Sequence, residues 1–289
     1  MANGILIIDK PADWTSHDVV AKLRGIFRER RIGHGGTLDP MATGVLPIFV
    51  GRATRAVEFA AEGKKEYLAG LRLGTVTDTQ DTTGTVTATH PVTADRDGLA
   101  AVLPRFTGDI LQIPPMYSAI KRQGQKLYEL ARRGQEVERD PRPITIHSLE
   151  IVEQLSLTDY LLKVVCSKGT YVRTLCHDIG QALGCGGTMF SLRRTMAAGF
   201  SLQDAVTLDQ VQQAEAPASL LLPVDACFAG YPELLLQSAA AEKKVRNGTP
   251  LPFEGPDGTY RVYSREREFL ALSRLREGYL TTIKSFFEV

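Results

Sequence analysis

The chain has 289 residues, of which 43% are hydrophobic and 23% charged, with a formal net charge of +1. This length predicts a principal domain with a real core plus a smaller one, and the composition fits a globular protein. Cys166, Cys176, Cys185 and Cys227 form no Cys-x-x-Cys pair and are too few for a disulfide scaffold, so they read as reduced thiols. The early apolar run Ile5 to Ile8 ends after four residues and no basic segment precedes it, which predicts neither signal peptide nor membrane span and therefore cytoplasmic residence.

The near-neutral charge hides an uneven distribution. Between Met196 and Ala241 there are five acids and no Lys or Arg, which leaves the rest of the chain at net +6. Basic side chains gather at Lys22 to Arg31, at Lys121 to Arg142 (seven bases against four acids) and at Lys243 to Arg246. Phosphate binding explains such clusters, and so do solvated helix faces.

In chain order, Gly4 to Ile8 reads as a buried strand ending at Asp9-Lys10-Pro11. Thr15 and Asp18 have capping-box spacing, and Val19, Val20, Leu23, Ile26 and Phe27 form one apolar face of a helix that the pattern carries to Gly33. His34 to Pro47 follows: a loop shaped by Gly35, Gly36, Gly44, Pro40 and Pro47 around one acid, Asp39. A reactive loop and a surface turn with a solvated Asp fit that composition equally well. A short helix spans about 53–60. The strand from Tyr67 to Leu73 puts Tyr67, Ala69, Leu71 and Leu73 on one face.

Asp78 to Gly84 lacks EF-hand spacing and reads as a turn between strands. A helix is predicted over 93–106, and an extended segment over 113–118, where Pro114 and Pro115 forbid helix. Helical spacing resumes over 125–133. The whole of Pro114 to Pro143 is basic and proline-bounded, as a binding loop or a linker would be. Strands are predicted over 144–152 and 160–167. The next helix carries the stripe Val172, Leu175, Cys176, Ile179, Ala182 and Leu183, with Arg173 in its first turn. A cation at the positive end of a helix dipole needs an acidic partner, and Asp39 is a candidate. Cys176, His177 and Asp178 are adjacent on this helix, point in different directions and predict no metal site. A strand over 188–194 and a helix over 206–214 precede a region from about Tyr231 with strand-like runs at 260–263, 269–274 and 279–283, predicting a small β domain.

Several motifs in order resolve the ambiguity at Asp39. His34-x-Gly-Thr-Leu-Asp39-Pro-x-Ala-x-Gly-Val-Leu-Pro47, followed by Gly51-Arg-Ala-Thr54, resembles the catalytic motif of bacterial tRNA pseudouridine-55 synthases, the TruB type. Asp9-Lys10-Pro11 with Thr15-Ser16, Lys65-Glu66-Tyr67, Pro115 to Ala119, Lys126 to Glu129, Lys168 to Arg173 and Leu192 to Arg194 resemble that family's other blocks.

The resemblance implies an α/β (α+β type) pseudouridine synthase fold: a mixed, mainly antiparallel central sheet flanked by helices in a catalytic domain over 1–229. It also implies an RNA-binding loop over 114–143 and a C-terminal PUA-like β domain over 230–289. It further implies isomerisation of uridine 55 in the T-arm of tRNA to pseudouridine, with tRNA as the partner, no cofactor or metal, no membrane and no obligate protein partner. Asp39 would act as nucleophile at C1′ or C6 or by abstracting a ribose proton, Arg173 would pair with it, and Tyr67 would stack on the uracil with its phenol near C5. Tyr171 and Leu192 would line the uracil pocket, and His34 would contact RNA beside the vacated stack. Lys10, Gly36 and Thr37 would support the site. Asp13 stands where the family's first motif usually has glycine, so the turn and the charge near Lys10 are expected to differ. A catalytically silent tRNA-binding or RNA-folding protein is the alternative, and a glycoside hydrolase would need a second carboxylate that the motif blocks do not offer.

Overall fold

The computed structural model describes residues 2–122 and 124–287, so the outer ends of the expected domains, Met1 and Val289, lie outside the described residues. The apolar runs pair into one nine-stranded sheet. Its main path runs Gly4–Lys10, Thr43–Val50, Gly187–Ala197, Lys65–Leu73, Asp159–Cys166, Arg142–Gln154 and Gly108–Gln112. Ile32–His34 pairs with Thr43–Val50, and Phe200–Ser201 with Gly187–Ala197. The one parallel pairing sets Arg193 opposite Thr43 and Arg194 opposite Gly44. The remaining pairs are antiparallel, so the sheet is mixed and mainly antiparallel as expected.

Strand Thr43–Val50 is buried on both faces, which explains its unbroken apolar sequence. Leu46, Ile48 and Val50 join the main core with Leu6, Ile8 and Leu71, and Val45 and Phe49 join a second cluster with Ile5, Ile7, Phe228, Leu272 and Phe286. Each such side chain contributes roughly 1.5–3 kcal/mol through burial. The strand that leaves the Asp39 loop is therefore held from both sides.

The second cluster joins the main sheet to a C-terminal β domain. Its five strands run Glu233–Leu235, Gly258–Tyr263, Phe269–Arg276, Tyr279–Ser285 and Leu251–Pro252. At the junction the Phe269 and Phe286 rings stack 5.2 Å apart. The sequence predicts only strands here, yet Ala239–Arg246 is a helix, capped by Ser238 and anchored through one buried residue, Val245. One apolar anchor leaves too faint a stripe to read.

Elsewhere the elements stand near their predicted places, with corrections at their ends. The first helix, Ser16–Phe27, has the reciprocal Thr15–Asp18 capping box but stops well short of Gly33. Arg28 turns left-handed at φ 51°, freeing Ile32–His34 to pair with the sheet. The segment over 125–133 is helical only at Leu127–Ala131, because Gln125–Lys126 pairs with Lys121–Arg122 as a small hairpin. The 93–106 helix is shorter, Arg96–Val102 capped by Asp95, and tightens into a 3-10 turn at Leu103–Phe106. Similarly, 53–60 is a 3-10 turn, Gly51–Ala56, followed by the helix Val57–Glu62. Asp78 to Gly84 links the short strands Thr75–Thr77 and Val86–Thr89, as predicted. No described helix is long and apolar enough to cross a membrane.

Candidate active site

The segment from His34 to Gly44 leaves strand Ile32–His34 and returns through Thr43–Val50, so both of its arms are fixed by the sheet. Asp39 lies at its apex, where the Ala42 N–H donates to the Asp39 carbonyl at 3.0 Å. Two glycines permit the path. Gly36 has φ 140°, and Gly44 has φ 101° with the position of a Cβ only 2.2 Å from the Arg194 carbonyl oxygen. A side chain at 44 would force the two parallel strands apart.

Three groups from the first motif hold the loop from below. The Ser16 hydroxyl accepts from the Leu38 N–H at 2.9 Å and donates to its carbonyl at 3.3 Å. Buried Lys10 donates to the carbonyls of Pro11, Trp14 and Pro40 at 2.8, 2.6 and 3.1 Å. Burial pushes its ammonium down to about 8, while the charges of Asp39 and Asp13 act in the opposite direction. Asp13 takes φ 64°, the left-handed conformation a glycine would supply, and its N–H donates to Pro40 at 2.9 Å. Aspartate tolerates this region, so the left-handed turn forms without a glycine, and the added acid favours the charged form of Lys10.

Arg173 finds its acidic partner as the helix-dipole argument requires. Its Nε lies 2.9 Å from Asp39 Oδ2, and its Nη2 donates to Asp39 Oδ1 at 3.3 Å. A second carboxylate, Asp81, stands 3.5 Å from Nη1. The remaining donors are satisfied by the carbonyls of Thr79 at 3.1 Å and Tyr117 at 3.0 Å. Arg173 and Asp81 side chains are each 6% exposed, and Asp39 is 35% exposed. The chain of charges thus runs from a buried acid through a buried cation to one accessible carboxylate. Burying such a pair is costly unless every donor is used, and here the carbonyls complete the set.

Tyr67 is buried on the sheet face it shares with Ala69 and Leu71. Burial pushes its phenol up, and the nearby Arg194 guanidinium pulls it back down. Tyr171 is half-buried just before helix Val172–Ala182, and the Gln112 side chain clasps its backbone, accepting from its N–H at 2.8 Å and donating to its carbonyl at 3.1 Å. Leu192 is buried in the main core. His34 is half-buried with Nδ1 lacking a partner, its ring meeting His17 edge-on at 5.4 Å. Burial pushes His34 down to about 4, so it is neutral at physiological pH. The Thr37 side chain is exposed, and the carbonyls of Gly36 and Thr37 both accept from Arg194.

Sequence reasoning overlooked four residues here. Asp81 sat in a segment read as a plain turn, Gln112 gave no signal beyond its polarity, and Ser16 and Arg194 stood in motif blocks with no role assigned to them. Arg194 carried a usable signal: in a strand it shares a face with Leu192, two residues before it.

The family model described as TruB family pseudouridylate synthase (N terminal domain) matches residues 24–172, and that of the tRNA pseudouridylate synthase B C-terminal domain matches residues 173–229. Two curated relatives named tRNA pseudouridine synthase B are similar along nearly their whole length. That of Clostridium kluyveri is 43% identical over 98% of this chain and 99% of its own, and that of Cupriavidus metallidurans is 42% identical over 96% and 92%. Among solved structures, a chain of a Cbf5-Nop10-Gar1 complex superposes with a TM-score of 0.74 and 26% identity, covering 98% of this chain and 85% of that one. With whole-length relatives above 40% identity and a family model across more than half of its residues, the chain belongs to the TruB family of pseudouridylate synthases.

Proposed function

We propose that this protein isomerises uridine 55 in the T-arm of tRNA to pseudouridine. The observation that carries this reading is the accessible Asp39 carboxylate, gripped side-on by Arg173 in a site shared with Tyr67, in a chain whose relatives bear that enzyme's name. The reaction breaks the N1 to C1′ bond, turns the uracil and joins C5 to C1′, so no atom is gained or lost. The target base leaves its stack, at a cost of a few kcal/mol, to reach the accessible Asp39 carboxylate. Asp39 is the group that meets the nucleotide. Arg173 fixes its direction, and Tyr67 offers a stacking face and a phenol for the C5 proton.

Tyr171 and Leu192 line the uracil, and neutral His34 meets the RNA at the rim. Lys10, Gly36 and Thr37 support the loop. The basic segment 114–143 grips RNA, residues 1–229 form the catalytic domain, and 230–289 a PUA-like domain that extends the RNA surface. The protein works in the cytoplasm on tRNA, without a cofactor. A glycosidase pairing of two carboxylates is disfavoured because the second acid, Asp81, is buried behind Arg173.

The test is tritium release from 5-tritiated uridine in a T-arm transcript. Wild type releases tritium and Asp39→Asn does not, while RNA binding stays within about threefold because the carboxylate belongs to the chemistry rather than to backbone recognition. Turnover by Asp39→Asn removes the mechanism, and a silent wild type leaves a tRNA-binding protein. Tyr67→Phe keeps stacking and loses the phenol, so RNA should stay bound without tritium release; full activity would reduce Tyr67 to a platform.

A further inference from the structure

Among the described residues, Arg194 is the largest side chain with essentially no exposure. Its position is unusual for a guanidinium, because among the described residues its hydrogen-bond partners are backbone carbonyls rather than acids. Nε donates to Val45 at 2.7 Å, Nη2 to Gly36 at 3.1 Å and Nη1 to Thr37 at 3.4 Å. Gly36 and Thr37 belong to the arm entering the Asp39 apex, and Val45 to the arm leaving it. One rigid fork therefore ties both arms together.

The backbone of Arg194 adds two further constraints. It pairs with Gly44 on one side, so closely that a Cβ at 44 would meet its carbonyl, and with Tyr67 on the other. Directly opposed residues of antiparallel neighbours project to the same face, so the guanidinium and the phenol lie on one side of the sheet. Arginine stays protonated when buried, so this charge is permanent.

Resting on the function proposed above, we propose that Arg194 is a positioning residue of the reaction: its guanidinium locks the two arms that carry Asp39 and holds an uncompensated positive charge beside the Tyr67 phenol. The groups facing that phenol are Arg194 from strand Gly187–Ala197, the Cys166 thiol from strand Asp159–Cys166 and Asp39 from the loop. Lys65 lies two residues away on the phenol's own strand, donating to the carbonyls of Ala61 and Gly63. Burial holds the Cys166 thiol neutral, pushed up to about 11, and Asp39 is already engaged by Arg173. Arg194 is thus the charge that favours the phenol after it has given up its proton. That form, its own proton having passed to solvent, can take the C5 proton of the rejoined uracil; the bonding pair restores the C5=C6 double bond, and the C6=N1 pair it displaces takes up a proton from water at N1.

The test uses the full chain with 2,3,5-trifluorotyrosine at position 67, whose acidity brings the phenol midpoint within reach of a fluorine NMR titration. Arg194→Met removes the charge and Arg194→Lys keeps it without the fork. In Arg194→Met the midpoint should rise by about one pH unit or more, the direction expected when a nearby cation is lost. In Arg194→Lys the midpoint should stay near its wild-type value while the single-turnover rate of the natural enzyme carrying this substitution falls about a hundredfold, the scale of a 1 Å misplacement. An unmoved midpoint in a folded Arg194→Met, or a wild-type rate in Arg194→Lys, overturns the proposal. If Arg194→Met does not fold, the rate and midpoint of Arg194→Lys decide alone. Asp39→Asn in the same rate assay separates the two levels: its inactivity beside a fully active Arg194→Lys refutes this inference only, whereas its activity refutes the function on which the inference rests.

Discussion

Replacing Asp81 with asparagine takes one charge out of the Asp39, Arg173, Asp81 chain and changes almost nothing in shape. The Asp81 carboxylate faces Arg173 Nη1 at 3.5 Å and accepts from the Thr79 hydroxyl at 2.8 Å, the Thr83 N–H at 3.0 Å and the Thr83 hydroxyl. All three of these bonds end on Oδ1, so an asparagine keeps them with its amide oxygen and turns an NH2 donor toward Arg173 Nη1, where the charged Oδ2 stood, in a side chain that is only 6% exposed. A hydrogen bond to a charged group contributes about 1.5–3 kcal/mol, which predicts a stability loss of about 2 kcal/mol. The rate responds through Arg173, which is then drawn by one acid instead of two and is free to turn toward Asp39. A displacement of about 1 Å at a reacting group costs on the order of a hundredfold, or about 2.7 kcal/mol of barrier. Single-turnover tritium release, a thermal melt and an RNA-binding isotherm measure the three quantities. Slower chemistry with binding unchanged within about threefold is expected. A rate within threefold of wild type, with an unchanged melt, would show that Asp81 does not orient Arg173.

Two further substitutions probe the loop. His34 is held below its ordinary value, at about 4, so between pH 6.5 and 4 the unfolded chain binds the proton more readily and stability falls as pH drops through that window, by at most about 3 kcal/mol. Urea unfolding of His34→Gln should show a flatter acid limb, and an identical limb in both proteins would mean that another group titrates there. Gly44→Ala meets the Arg194 carbonyl at 2.2 Å from a backbone with φ 101°, so a loss of at least about 2 kcal/mol in denaturant unfolding and of nearly all turnover is expected. A stable, active Gly44→Ala would show that the parallel seam can open without harm.

The shape of the Asp39 loop and its pairing with Arg173 were legible because they rest on local rules, whereas a role for the acid came from the resemblance. Glycines and prolines shaped the loop around a single acid, and a cation at a helix start demanded a carboxylate from elsewhere, which the structure supplies at 2.9 Å. The alternation in Tyr67 to Leu73 identified the buried face that holds the tyrosine. What was not legible depends on pairings distant in sequence. Asp81 occupies a Thr-rich turn whose composition is the same whether its carboxylate faces solvent or Arg173, and only the docking of that turn against helix Val172–Ala182 decides between them. The end of the first helix was misplaced because Arg28, not glycine, takes the left-handed turn. Asp13 likewise takes a left-handed turn without a glycine.

The distribution of partners among three buried cations explains how one carboxylate stays available. Lys10, Arg173 and Arg194 all converge on the Asp39 loop, and direct pairing of all three with Asp39 would leave it enclosed and its lone pairs occupied. Lys10 and Arg194 instead direct their donors to carbonyls of the loop and its flanks: Pro11, Trp14 and Pro40 for the first, Gly36, Thr37 and Val45 for the second. Backbone dipoles thus take the place of counter-ions, and the cations stiffen the path of the loop rather than neutralise its acid. Arg173 alone pairs with Asp39, and Asp81 shares that charge from the buried side. The carboxylate is oriented by one guanidinium and left about a third exposed, a compromise that a stronger ion pair would lose.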